Sequence, residues 1–185
     1  MSVLIAYAST HGHTGRIARR IGEVLEADGI AAEVRELSPN GPWPTPDAHE
    51  AVVVGASLHA GRHQKQVERW LREHREEIDA RPNALFSVSL SAAEEETRGD
   101  ATRCVEELTE ECGWAPDHVA TFGGALQYRE YDVFTRLLMR LIARHHGAST
   151  DTSADVDLTD WDEVERFAHH VALQVRALPA PKPVP

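Results

Sequence analysis

Lysine is nearly absent from this chain: Lys65 and Lys182 are the two among 19 basic residues. No lysine precedes residue 65, so the nucleoside-triphosphate loop G-x-x-x-x-G-K-[ST] is excluded from the N-terminal region. Cysteine is equally scarce. Cys104 and Cys112 stand eight residues apart in an expected helix, a rise of about 12 Å that no disulfide spans without unwinding. They read as free thiols of a reducing cytoplasm. No apolar run approaches the ~18 residues that cross a bilayer, and no charged-then-apolar leader opens the chain. A cytoplasmic protein is expected, at most peripheral to a membrane. Positive charge is also short: 30 acidic residues against 19 basic ones leave a net charge of −11, which repels nucleic acid and anionic surfaces at long range. A nucleic-acid partner is therefore not expected. The low lysine and excess acid fit a high-salt or a high-GC source equally well. Metal ligation is not expected either. His145-His146 and His169-His170 would point about 100° apart on a helix, with no cysteine or carboxylate set at ligand spacing.

What the chain does contain is alternation of buried strands and amphipathic helices. Its 185 residues at 42% hydrophobic content suit one domain with a single core. Val3–Tyr7, Ala51–Ala56 and Ala84–Leu90 are continuous apolar runs, as central parallel strands covered on both faces should be. Ala31–Leu37 alternates apolar and polar and reads as an edge strand, and His118–Ala125 reads as the fifth strand. Helices are expected over Thr14–Asp28, His63–Asp79, Asp100–Cys112 and Asp160–Val175, with loops over Ser38–Pro46 and Ser91–Gly99. A further helix, Asp132–His146, is inserted between the fifth strand and the last helix. The domain spans 1–176. The remainder, 177–185, is a proline-rich tail expected to be disordered.

The stretch that organises this pattern is Ser9-Thr10-His11-Gly12-His13-Thr14-Gly15. It joins the first buried strand to the first helix, the place where α/β proteins present unpaired backbone N–H groups to an anion. The glycine pattern G-x-G-x-x-G of a dinucleotide site is missing. A hydroxyl-rich turn remains, suited to one terminal phosphate monoester held by Ser9, Thr10, Thr14 and main-chain N–H groups. An ordinary strand-to-helix turn capped by Thr14 is the plainer alternative. The four tryptophans, Trp43, Trp70, Trp114 and Trp161, lie elsewhere and read as core or loop anchors.

Ala6–Thr14 resembles the FMN-phosphate loop of flavodoxins, S/T-x-T-G-x-T, with His11 where threonine is common. Val54–His63, Phe86–Leu90, Gly123–Tyr128, Thr150–Thr152 and Thr159–Trp161 resemble one flavodoxin-fold branch, the menaquinone-dependent protoporphyrinogen IX dehydrogenase type. The likeness runs from Val3 to about Val175. It implies an α/β, doubly wound, five-stranded parallel sheet in the order 2-1-3-4-5, whose switch between strands one and three is where flavodoxins hold FMN. Carried over residue by residue, it implies that Ser9, Thr10, His11, Gly12, His13 and Thr14 hold the phosphate. Ser57, Leu58, His59, Ala60 and Gly61, with Ser89, Leu90, Ser91 and Ala92, would hold the ring. It further implies an FMN-dependent oxidoreductase of haem biosynthesis, with a porphyrinogen substrate and a quinone acceptor reached at the inner face of the membrane. A flavodoxin-type electron carrier and an FMN-dependent quinone reductase are the alternatives. Cations near the ring ease its two-electron reduction, and His59, Arg62 and His63 follow the second loop, which favours an enzyme. Chemistry would rest on the flavin itself, with His59, Arg62 and Arg129 as tuning or substrate residues. Tyr128, Arg129 and the Asp132–His146 helix are expected either to wall a substrate pocket or to pack on the sheet or a second copy of the chain.

Overall fold

The computed structural model describes residues 1–59, 61–126 and 156–178. Ala60, the expected Asp132–His146 helix with Tyr128 and Arg129, and the proline-rich tail beyond residue 178 lie outside the described residues. In chain order the elements are β1 (Ser2–Ala8), α1 (His13–Ala27), β2 (Ala31–Glu36), β3 (Ala51–His59), β4 (Arg62–His63), α2 (Lys65–Glu73) and α3 (Arg75–Asp79). After them come β5 (Asn83–Ser89), a 3₁₀ turn (Ser91–Ala93), α4 (Arg98–Cys112), β6 (His118–Gly123), β7 (Ala125–Leu126), β8 (Val156–Asp157) and α5 (Trp161–Arg176).

The sheet runs β2-β1-β3-β5-β6, with neighbours on this path parallel. This is the expected order 2-1-3-4-5, with one short strand intercalated in the chain numbering. Period-two alternation then sorts each strand between two helical layers. Val3, Ile5 and Tyr7 of β1, Val53 of β3 and Phe86 of β5 join the cluster of Ile17, Ile21 and Leu25 from α1 and Phe167 and Val171 from α5. Leu4 and Ala6, Val52 and Val54, and Leu85 face the opposite layer, where Val67, Trp70 and Leu71 of α2 and Val105 and Leu108 of α4 cover them. Edge strand β2 keeps only Ala32 and Val34 against the core. Gly55 marks a close approach between neighbouring strands: a Cβ there would fall 2.3 Å from the Phe86 ring.

The tryptophans anchor as expected. Trp70 Nε1 donates to the Pro44 carbonyl (2.8 Å), Trp114 Nε1 to Asn83 Oδ1 (3.1 Å) and Trp43 Nε1 to the Ser38 carbonyl (2.7 Å). Cys104 and Cys112 are buried free thiols.

Three boundaries depart from the sequence reading. Strand β3 continues to His59 and turns back through Gly61, at φ 77°, so that Leu58 pairs with His63 and His59 with Arg62. Arg62 and His63 are therefore hairpin residues, and the helix begins two residues later. That helix breaks at His74, whose Nδ1 lies 2.8 Å from Glu77 Oε2 as α3 starts. The fifth strand also divides. Gly124 N–H donates to the Ser89 carbonyl (3.0 Å), and β7 then pairs antiparallel with β8 instead of extending β6.

Candidate functional site

Parallel strands place their carboxyl ends in one row, and Ala8 pairs with Ala56, Ser57 with Val88, and Ser89 with Gly123. The three predicted loops leave from that row. Order reverses between β1 and β3, so the chain diverges there and leaves a crevice.

The first loop ends in α1. Gly12 takes the N-cap position at φ 82°, with no side-chain cap on the helix, so Thr14 does not cap it as the plainer reading of this turn required. No acidic residue occupies the first turn, which leaves the positive end of the helix uncompensated. A Cβ on Gly12 would meet nothing within 4 Å; the glycine is needed for its left-handed backbone, and the space beside it is open. Ser9 Oγ is buried and has no hydrogen-bond partner. A buried, unpaired hydroxyl next to bare helix N–H groups is poorly satisfied by the protein alone. A phosphate monoester would satisfy both. The residues present therefore fit the phosphate of FMN.

The structure distributes the other candidates unevenly. Thr10, His11 and Gly12 are exposed, while His13 and Thr14 are buried. His13 turns its ring away: Nε2 lies 2.7 Å from Thr159 Oγ1, whose own proton goes to the Gly123 carbonyl (2.8 Å). Its Nε2 must then carry the hydrogen, and Nδ1 can accept from Arg16 Nη1 at 3.4 Å. Burial pulls the imidazole below its ordinary pKa, outweighing the nearby Asp157 carboxylate, which agrees with the neutral ring. Only the backbone of His13 is left for a cofactor. Arg16 pairs with Asp157 (3.2 Å) and lies over the Trp161 ring (5.5 Å), so α1 is strapped to the segment that leads into α5. Glycine at 123 is what lets that segment pass, because a Cβ would fall 2.2 Å from the Leu158 carbonyl oxygen.

Loops one and two meet. The His11 and His59 rings lie 6.0 Å apart, edge to face. Gln64 Nε2 donates to Thr10 Oγ1 (3.1 Å) and to Ser57 Oγ, while Gln64 Oε1 accepts from the Ser57 N–H (3.1 Å). His63 is buried under the hairpin with Nε2 2.9 Å from Ser87 Oγ, and burial pushes it down to about 4. The bonds of loop three run elsewhere. Ser89 Oγ accepts from the Ala92 N–H (3.1 Å), and Thr97 Oγ1 donates to the Ser91 carbonyl (2.8 Å). Leu90 and Ser91 are half-buried at the rim.

Gln64 had no signal in the sequence, where it fell inside an expected helix. Thr159 lies in a stretch that carries the family resemblance, but with no role attached to it. Among the described residues no group of three His, Cys, Asp or Glu is placed to hold a metal. His169 pairs with Asp28 (2.8 Å) and His170 packs on His118 (ring centroids 4.1 Å apart). His145-His146 lies outside the described residues.

The flavodoxin domain, as a sequence family, matches residues 4–153. The chain belongs to the flavodoxin family. Within that family it is 31% identical over 173 residues to an Escherichia coli K12 protein named protoporphyrinogen IX dehydrogenase (quinone), covering 93% of this chain and 95% of that one. A Leishmania major protein of the same name is 31% identical over 182 residues, covering 97% and 78%. Oxidised flavodoxin 1 of Bacillus cereus superposes with a TM-score of 0.55 at 16% identity, over 97% of this chain and all (100%) of that one. A cysteine-to-serine mutant of the Pseudomonas aeruginosa flavodoxin gives 0.57 at 16%, over 96% and 100%. These two speak for the flavodoxin fold alone. No helix among the described residues is long and apolar enough to cross a membrane.

Proposed function

We propose that this chain binds FMN in the crevice between β1 and β3 and serves as an FMN-dependent oxidoreductase. Its reading is that of its relatives: oxidation of protoporphyrinogen IX or a related porphyrinogen, with a quinone such as menaquinone as acceptor. Bound FMN would supply hydride acceptance, and the protein's share is to hold the ring and set its electrostatic surroundings. Ser9, Thr10, Gly12, the His13 N–H and Thr14 take the phosphate. The hairpin of Ser57–His59 with Gly61–Arg62, and the rim of Ser89–Ala92, flank the ring. The observation that carries this reading is the buried, partnerless Ser9 Oγ beside the uncapped start of α1. Arg62 stands opposite His59 on the hairpin, and the positive charge of its guanidinium favours a reduced, anionic ring and so an enzyme over a one-electron carrier. Ala60 and Arg129 complete the proposed set from the sequence.

The test is a titration of cofactor-free protein with FMN, read by quenched flavin fluorescence and a rise in unfolding temperature. An anaerobic assay with protoporphyrinogen IX and menaquinone follows. Protein that FMN neither tints nor stabilises would leave only an interaction module. FMN binding without porphyrinogen turnover would leave the electron carrier.

A further inference from the structure

We propose that Gln64 is a positioning residue that fixes the hydroxyls of Thr10 and Ser57 as proton donors toward the cofactor, and thereby makes the site prefer the phosphorylated flavin over riboflavin. This inference rests on the FMN reading and adds to it the origin of phosphate selectivity.

The orientation of the Gln64 amide is decided by the backbone. Ser57 N–H can only donate, so the atom 3.1 Å from it is Oε1. Nε2 then faces the two hydroxyls, and its two hydrogens go one each to Thr10 Oγ1 (3.1 Å) and Ser57 Oγ. A hydroxyl oxygen that accepts an N–H keeps its own proton to donate elsewhere. The two oxygens are 3.5 Å apart, beyond an ordinary O–H···O bond, so they do not spend their protons on each other. Thr10 thus adds an O–H donor to the bare N–H groups that open α1. Gln64 also holds the N-cap position of α2 without capping it; its side chain serves the loops and not its own helix.

A carboxylate at this position would reverse the polarity. Gln64→Glu still accepts from Ser57 N–H, but it is acceptor-only and draws both hydroxyl protons inward, which turns the Thr10 lone pairs toward the phosphate. Gln64→Leu carries no charge and leaves both hydroxyls free to rotate. Dissociation constants for FMN and for riboflavin are measured for wild type and both variants, with thermal unfolding of the cofactor-free proteins as the check on folding. The expected result is a rise in the FMN constant of about 100-fold for Gln64→Glu and about 10-fold for Gln64→Leu, with riboflavin within about threefold of wild type in each. FMN and riboflavin weakening together would show a merely structural role and overturn the inference. So would FMN constants within about threefold of wild type. A wild type that binds riboflavin as tightly as FMN would instead overturn the phosphate site itself.

Discussion

His63 offers the sharpest quantitative check on the hairpin that carries half of the candidate ring site. Its imidazole is 8% exposed, bonded to Ser87 Oγ, and burial lowers it from 6.5 to about 4. The folded value lies below the unfolded one, so between these pH values the unfolded chain binds more protons. Stability from this group is complete above about pH 6.5, falls as the pH drops, and is fully lost below about pH 4. The shift corresponds to about 3 kcal/mol, a large part of a typical folding free energy. The side-chain amide introduced by His63→Gln keeps a donor and an acceptor for Ser87 but does not titrate. Urea unfolding at a series of pH values for both proteins isolates the term, because His13 and His118, also lowered by burial, cancel in the difference. Wild type should lose about 3 kcal/mol more than His63→Gln between pH 7 and pH 4. Parallel stability curves would refute a buried, neutral His63 and with it the placement of β4.

Three further outcomes follow from particular contacts. Ser9→Ala removes a buried hydroxyl with no partner, so the cofactor-free protein should be unchanged or up to about 1 kcal/mol more stable while FMN affinity falls about tenfold, measured by thermal unfolding and fluorescence titration. Gly55→Ala drives a methyl to 2.3 Å from the Phe86 ring and should cost about 1–3 kcal/mol in urea unfolding. Asp160→Ala removes the carboxylate that accepts from the Glu163 N–H at 3.1 Å to cap α5, and should cost about 1 kcal/mol by the same assay, with FMN affinity unchanged.

Much of the architecture was legible because burial on both faces of a sheet leaves a plain mark. Val3–Tyr7, Ala51–Ala56 and Ala84–Leu90 could be central strands or nothing, and the helices between them left one family of topologies. Ser9–Thr14 was legible for a local reason: hydroxyls and glycines at a strand-to-helix junction act through the backbone they sit on. The hairpin at Gly61 was not. Arg62-His63-Gln64 has no strand periodicity, and its pairing depends on β3 running on to His59 and on the buried Ser87 hydroxyl that meets the His63 ring.

By itself, the order of residues marked the buried strands, the amphipathic helices between them and the hydroxyl- and glycine-rich turn after the first strand, since each rests on neighbours within a few positions along the chain, while the order of strands across the sheet was carried by the family likeness. Only the folded molecule decided which side chains serve that turn. His13 sits within it and yet faces Thr159, 146 positions away, while Gln64 lies 54 positions from Thr10 and touches it. Side-chain direction depends on which distant backbone supplies a hydrogen-bond partner, and that partner exists only after the strands have come into register.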